Sequence, residues 1–209
     1  MSTQDPNTDT SQDIPLIIVG GPAGCGKTTI AKAIASSTTF PFIEGDDLHP
    51  PQNIAKMSAG HPLVDADRWD WLDKIISTAV ELATSQHPKG IVITCSALKK
   101  SYRERMRRRV REARQRGTQL VLWFVFCNLS QEESLRRVRD RPGHYMKADM
   151  VASQFADLEV PDEKVEERVY VLDVERSIPE VDQAAIAFVK SCIPGETEVE
   201  QPGGKQEAN

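Results

Sequence analysis

Gly21, Gly24, Cys25, Gly26, Lys27 and Thr28 stand in the segment GPAGCGKT, which fits the phosphate-binding pattern G-x-x-x-x-G-K-[ST]. Glycines let such a loop curl until its N–H groups converge on phosphate oxygens. Lys27 then neutralises the β and γ charge, and the Thr28 hydroxyl, followed by Thr29, is placed to ligate Mg²⁺. The chemistry implied is the gripping of a nucleoside triphosphate. Further along, Glu44-Gly45-Asp46-Asp47 follows a short apolar run, and the carboxyl ends of strands are where open α/β sheets bind ligands. Phosphoryl transfer has a loose transition state, so a carboxylate there serves mainly to aim an acceptor oxygen at the γ-phosphorus. Asp46 is assigned that role and Asp47 that of a turn residue, while His49, ahead of Pro50-Pro51, is read as a ligand contact.

Hydrolases with this loop commonly carry an acid at the end of a later strand. Here the run after Ile91-Val92-Ile93 is Thr94-Cys95-Ser96-Ala97-Leu98-Lys99. Mg²⁺ is therefore expected to rest on Thr28, phosphate oxygens, waters and, through water, Asp46. That favours a small-molecule kinase over a motor ATPase. Arg136, Arg137, Arg139 and Arg141 lead into the turn Pro142-Gly143-His144-Tyr145. They read as a lid over about 136–150 whose cations, Arg141 above all, stabilise the transferring phosphoryl group and exclude water. Between Lys99 and Arg116 there are ten lysines and arginines against two glutamates. Tyr102, Met106, Val110 and Ala113 give that helix one stripe to seat on a sheet and leave its arginines in water. A nucleotide-dependent RNA-binding or adaptor role for the run, or attraction of an anionic substrate, are the alternatives. Lys99 differs, lying at a strand's carboxyl end.

The elements that must position these groups alternate. Strands are expected at Leu16–Val19, Phe40–Ile43, Ile91–Ile93, Leu120–Phe126 and Val169–Leu172, each apolar enough to be buried. Helices are expected over Lys27–Ser36, with Ile30, Ala31, Ile34 and Ala35 on one face, and over Arg68–Ala83 with Asp67 as N-cap. The sum is a five-stranded parallel sheet with covering helices in one domain of about 14–193. The polar leader 1–13 and the tail 194–209 are expected to be disordered. A chain of 209 residues with net charge −5 is ill-suited to coating nucleic acid or an anionic membrane. The scattered Cys25, Cys95, Cys127 and Cys192 suggest neither a zinc site nor a disulfide ladder. With no apolar leader and no run long enough to cross a bilayer, the cytoplasm is the expected location.

Four blocks carry a family resemblance: GPAGCGKTT, FIEGDDLHPPQNIAKMSAGHPLVDADRWDWL, CSALKKSYRERMR and RPGHYMKADMVASQFADLEVP. Together, over roughly Leu16 to Phe188, they resemble gluconokinase, the ATP:gluconate 6-phosphotransferase. The resemblance implies the three-layer α/β/α fold of the shikimate-kinase and nucleoside-monophosphate-kinase type, with a substrate region after the second strand, a mobile lid and a homodimer. It also implies that Gly24, Gly26, Lys27, Thr28 and Thr29 hold ATP and Mg²⁺ while Arg137 and Arg141 approach from the lid. Asp46 would orient the C6 hydroxyl, and His49, Lys56, Arg68, Ser96, Lys99 and Gln154 would form the pocket for D-gluconate. Arg68 is the expected carboxylate partner, because its fork can bind two oxygens. Many relatives have an apolar residue in place of Asp47, and the run Arg103 to Arg116 is heavier in arginine than usual.

Overall fold

The computed structural model describes residues 13–140 and 148–193. Five strands form one parallel sheet: β1 (Ile14–Gly20), β2 (Phe42–Ile43), β3 (Ile91–Thr94), β4 (Leu120–Asn128) and β5 (Val169–Asp173), in the order β2-β3-β1-β4-β5. β1 is central, with Ile18 opposite Ile93 on one side and Phe124 on the other. It is buried from Pro15 to Gly20, which is why its sequence is an unbroken apolar run. Each strand is longer than or equal to its expected span except β2, which is shorter. Phe40 leaves the ladder to pack on Gly90, where a Cβ would come within 2.2 Å of its ring.

Helices cover both faces. On one, α3 (Asp65–Gln86) and α4 (Lys100–Gln115) pack on Leu16, Ile18, Ile91 and Phe124; on the other, α1 (Lys27–Thr38) and α7 (Ile178–Ser191) pack on Ile17, Val19 and Val125. From α3 alone Trp71, Leu72, Ile75 and Ile76 are buried. At about 1.5–3 kcal/mol for each large side chain removed from water, that face anchors the helix and fixes what its first turns present. The α3 helix begins earlier than expected. Asp67 is not the N-cap but lies in the first turn, and its carboxylate reaches back to accept the Val64 N–H at 2.8 Å. A short 3₁₀ turn (Gly45–Leu48) and α2 (Pro51–Ser58), both unanticipated, carry the chain from β2 to α3. The remaining helices are α5 (Gln131–Asp140) and α6 (Ala148–Ala156).

The stripe Tyr102, Met106, Val110 and Ala113 of α4 is buried as expected. Its arginines, however, are not all left in water. Arg103 is fully buried and Arg107 nearly so, because Glu166 comes in from the segment before β5 to meet both. Arg105 and Arg109 pair with Asp73 of α3, and Arg114 with Asp13. Much of the charge run thus ties α4 to its neighbours. The four cysteines are free thiols, and among the described residues no helix is long and apolar enough to cross a membrane.

Candidate active site

Past β1 the chain turns at Gly21 (φ 128°), where a Cβ would lie 2.5 Å from the carbonyl oxygen of Cys127. Only glycine fits there. The loop then passes left-handed through Gly24 and Gly26 into α1, whose N-terminus carries no side-chain cap. Gly24, Gly26, Lys27, Thr28 and Thr29 line a cleft of about 360 Å³ at that positive helix end, with Arg137 of α5 on its far wall. Lys27 Nζ donates to the carbonyls of Gly21 (3.1 Å) and Pro22 (3.0 Å) and lies 4.0 Å from Cys25 Sγ. Burial opposes its charge, but Cys25 and Asp46 keep the ammonium protonated above its ordinary range. Burial also opposes ionisation of Cys25, yet a hydrogen bond with Cys127 and the Lys27 ammonium bring that thiol down to about 6. The loop therefore gathers electron-rich groups around Lys27, and phosphate oxygens can replace them.

Glu44, just past β2, belongs to the acidic segment seen in the sequence but has no role assigned there. Its Oε2 accepts from Thr28 Oγ1 at 2.7 Å, and its Oε1 accepts from Thr94 Oγ1. Thr94 closes β3 at the place where a hydrolase would carry its acid. The carboxylate beside it comes from the end of the neighbouring strand, and it is Glu44 rather than Asp46 that bonds Thr28. The signal was present as an acid two residues before Asp46.

A second cavity lies beside the first, lined by His49, Arg68, Trp71, Ser96 and Gln154 among others. Asp46 and Lys27 line both. Asp46 is open to the cleft but crowded by protein. This loss of solvation, with Glu44 and Asp47 nearby, lifts its carboxyl above the ordinary range against the pull of Lys27 and Arg68. His49 is buried and stacked on Trp71, with ring centroids 4.0 Å apart, and its Nδ1 lies 3.4 Å from Asn53 Nδ2. Burial and the Arg68 charge push the imidazole down to about 4, so it is neutral at pH 7. Trp71 in turn donates from Nε1 to the Gly45 carbonyl at 2.7 Å. It is buried in the core and also walls the cavity.

The expected cations separate. Arg68 lines the cavity; its Nη2 makes one long bond to the Leu63 carbonyl (3.4 Å), and its buried Nε has no partner. Lys56 and Lys99 do not line it. Lys56 is held by Asp67 at 2.5 Å, and Lys99 by Asp65 (2.7 Å) and Asp157 (3.1 Å). Gln154 does reach the cavity, while its Oε1 accepts the Ala23 N–H of the phosphate loop at 2.7 Å. From α5, Ser134 Oγ donates to the Ala23 carbonyl, so both helices flanking the expected lid grip that loop. Arg137 is braced by Glu133 and by the Val174 carbonyl, both at 2.6 Å. Arg141 lies outside the described residues.

One cavity thus suits a triphosphate and the other a small anionic polyol, with a carboxylate on their common wall. The AAA domain family matches residues 16–169. The chain is 41% identical over 194 residues to a probable gluconokinase of Schizosaccharomyces pombe, spanning 91% of this chain and 96% of that one. It belongs to the gluconokinase family. A gluconokinase of Gluconobacter oxydans is 44% identical over 145 residues, covering 69% of this chain and 75% of that one. The crystal structure of a gluconokinase from Sinorhizobium meliloti 1021 matches with a TM-score of 0.69 at 36% identity, over 88% of this chain and 94% of that chain. The gluconokinase fold expected from the sequence, a five-stranded parallel sheet with flanking helices around a phosphate loop, is the fold observed.

Proposed function

We propose that this enzyme transfers the γ-phosphoryl group of ATP to the C6 hydroxyl of D-gluconate, giving 6-phospho-D-gluconate and ADP and so feeding the pentose phosphate pathway. The observation that carries the reading is the shared wall: Asp46 and Lys27 face the phosphate cleft and the acid-binding cavity at once. The loop around Gly21–Thr29 cradles the phosphates, and Lys27 exchanges its carbonyl partners for β and γ oxygens. Arg137, with Arg141 from the lid, balances charge on the transferring group.

Thr28 and Glu44 suit Mg²⁺, being a hydroxyl and a carboxylate already in contact at the loop's end. Held there, Mg²⁺ would supply positive charge against the negative charge that develops on the transferring phosphoryl group. Glu44, with Thr28, would stand on the metal side, which leaves Asp46 to orient the C6 hydroxyl and accept its proton. Arg68 receives the gluconate carboxylate, since its guanidinium has hydrogen-bonding capacity to spare in the cavity. Neutral His49, Ser96 and Gln154 meet hydroxyls. Lys56 and Lys99 contribute only if gluconate displaces their carboxylate partners. The same reading takes the enzyme as cytoplasmic, in keeping with its free thiols, and as a homodimer on the family resemblance alone.

A coupled assay of ADP release across sugar acids tests it. Gluconate should turn over well above the ATP-only blank, whereas turnover with shikimate or a nucleoside monophosphate and none with gluconate would overturn the assignment.

A further inference from the structure

A buried charge braces the acceptor loop from behind. After Thr94 the chain passes through Cys95 and Ser96 and takes a left-handed turn at Ala97 (φ 42°), a backbone that residues with a Cβ avoid. It then enters α4. Ser96 lines the acid-binding cavity, and its carbonyl accepts the Gly21 N–H of the phosphate loop at 3.0 Å. The next two carbonyls point to Arg103. Its Nη1 lies 2.9 Å from Ala97 O and 3.0 Å from Leu98 O. Its Nε and Nη2 hold the two oxygens of Glu166 at 2.8 and 2.6 Å.

Neither residue lines either cavity, and Arg103 is fully buried. Apolar residues fill such interiors at least as stably as a buried ion pair, so packing alone does not call for a guanidinium at this place. What a planar fork adds is geometry: one rigid group fixes two carbonyls on one edge while a carboxylate fixes its other edge. The backbone so fixed is the strained one that presents Ser96.

We propose that Arg103, oriented by Glu166, is a positioning residue for the sugar acid, setting the Ala97 and Leu98 carbonyls and through them the angle at which Ser96 meets the acceptor. This rests on reading the cavity as the gluconate site. The contacts of Arg103 itself fall on Ala97 and Leu98, whereas the segment meets the phosphate loop through the Ser96 carbonyl, a backbone bond that Arg103 does not touch, so the larger effect belongs to gluconate rather than to ATP. A lysine keeps the charge but cannot span the carboxylate and both carbonyls.

The experiment is steady-state kinetics with both substrates varied, on Arg103→Lys, Glu166→Gln, Ser96→Ala and the Arg103→Lys/Ser96→Ala pair, with a thermal melt of each protein. The expected result is a rise of about tenfold in KM for gluconate in both single variants at 103 and 166, with KM for ATP within about twofold of wild type. In the Ser96→Ala background, Arg103→Lys should add little further, because the two act through one contact. A lowered Tm with an unchanged gluconate KM, equal rises in both KM values, or full additivity with Ser96→Ala would each overturn the proposal. If Arg103→Lys does not fold, the near-isosteric Glu166→Gln carries the same comparison. Should the wild type phosphorylate a different acid, the functional reading fails, yet the same split measured on that acid still decides the role of Arg103.

Discussion

A carboxyl group crowded by protein and set among other acids is costly to keep ionised, and Asp46 shows that cost as a raised pKa. A folded pKa above the unfolded value means that stability falls as pH rises between the two. Asp46→Asn should therefore raise Tm at pH 7, with a smaller gain near pH 3.5, while lowering kcat by a factor of about 10² or more. Melts at both pH values and a kinetic run check this; a variant with lowered Tm or near-wild-type kcat speaks against the role. His49 runs the other way. With its pKa pushed down to about 4 from 6.5, the fold refuses a proton that the unfolded chain accepts. Stability is expected to fall as pH drops from 6.5 to 4, by at most about 3 kcal/mol from this group. Urea titrations at pH 7 and 4.5 should show that loss in the wild type and a shallower one in His49→Gln.

At the scale of elements, the link from β2 to α3 decides whether the acids reach the cleft. Gly45 lies so close to β3 that a Cβ would stand 1.8 Å from the Thr94 carbonyl oxygen, and its own N–H donates to Thr94 Oγ1 at 2.9 Å. Gly45→Ala should cost about 1–3 kcal/mol by overpacking. It should also cut kcat/KM by more than a loss of folded protein explains, because Glu44 and Asp46 flank the displaced residue. Activity per folded molecule, from kinetics alongside a denaturation curve, separates the two effects. This link was also the least legible part of the sequence. β1 and β4 were plain because strands buried on both faces leave an apolar run, and α4 was plain from Tyr102, Met106, Val110 and Ala113. The Gly45–Leu48 turn and α2 were not, since they are short and held by tertiary contacts such as Trp71 to the Gly45 carbonyl. Among site residues, Gly21 to Thr29 follow from a motif whose spacing is dictated by phosphate geometry. The pairing of Lys56 and Lys99 with acids, the burial of Arg103 against Glu166 and the bond from Glu44 to Thr28 join residues 11 to 63 positions apart. No local pattern encodes such distances.

For the whole molecule, the two cavities share a wall formed by Ala23, Lys27 and Asp46, so a ligand in either rests on the same sheet edge. Ligand binding to the native state alone stabilises by mass action. Gluconate at about 100 times its Kd should add about 2.7 kcal/mol, or some 5–10 °C in Tm for a chain of this size, with shikimate giving no shift. Differential scanning fluorimetry reads this directly, and equal shifts from both acids would remove the basis for selectivity. Sedimentation at micromolar protein tests the homodimer. The stacking of His49 on Trp71 against the wall of the second cavity has an optical consequence. An indole so placed is a built-in reporter: its ultraviolet emission should change in intensity as a polyol replaces solvent beside it. The occupancy of this kinase could then be followed in a cuvette without a dye or a label.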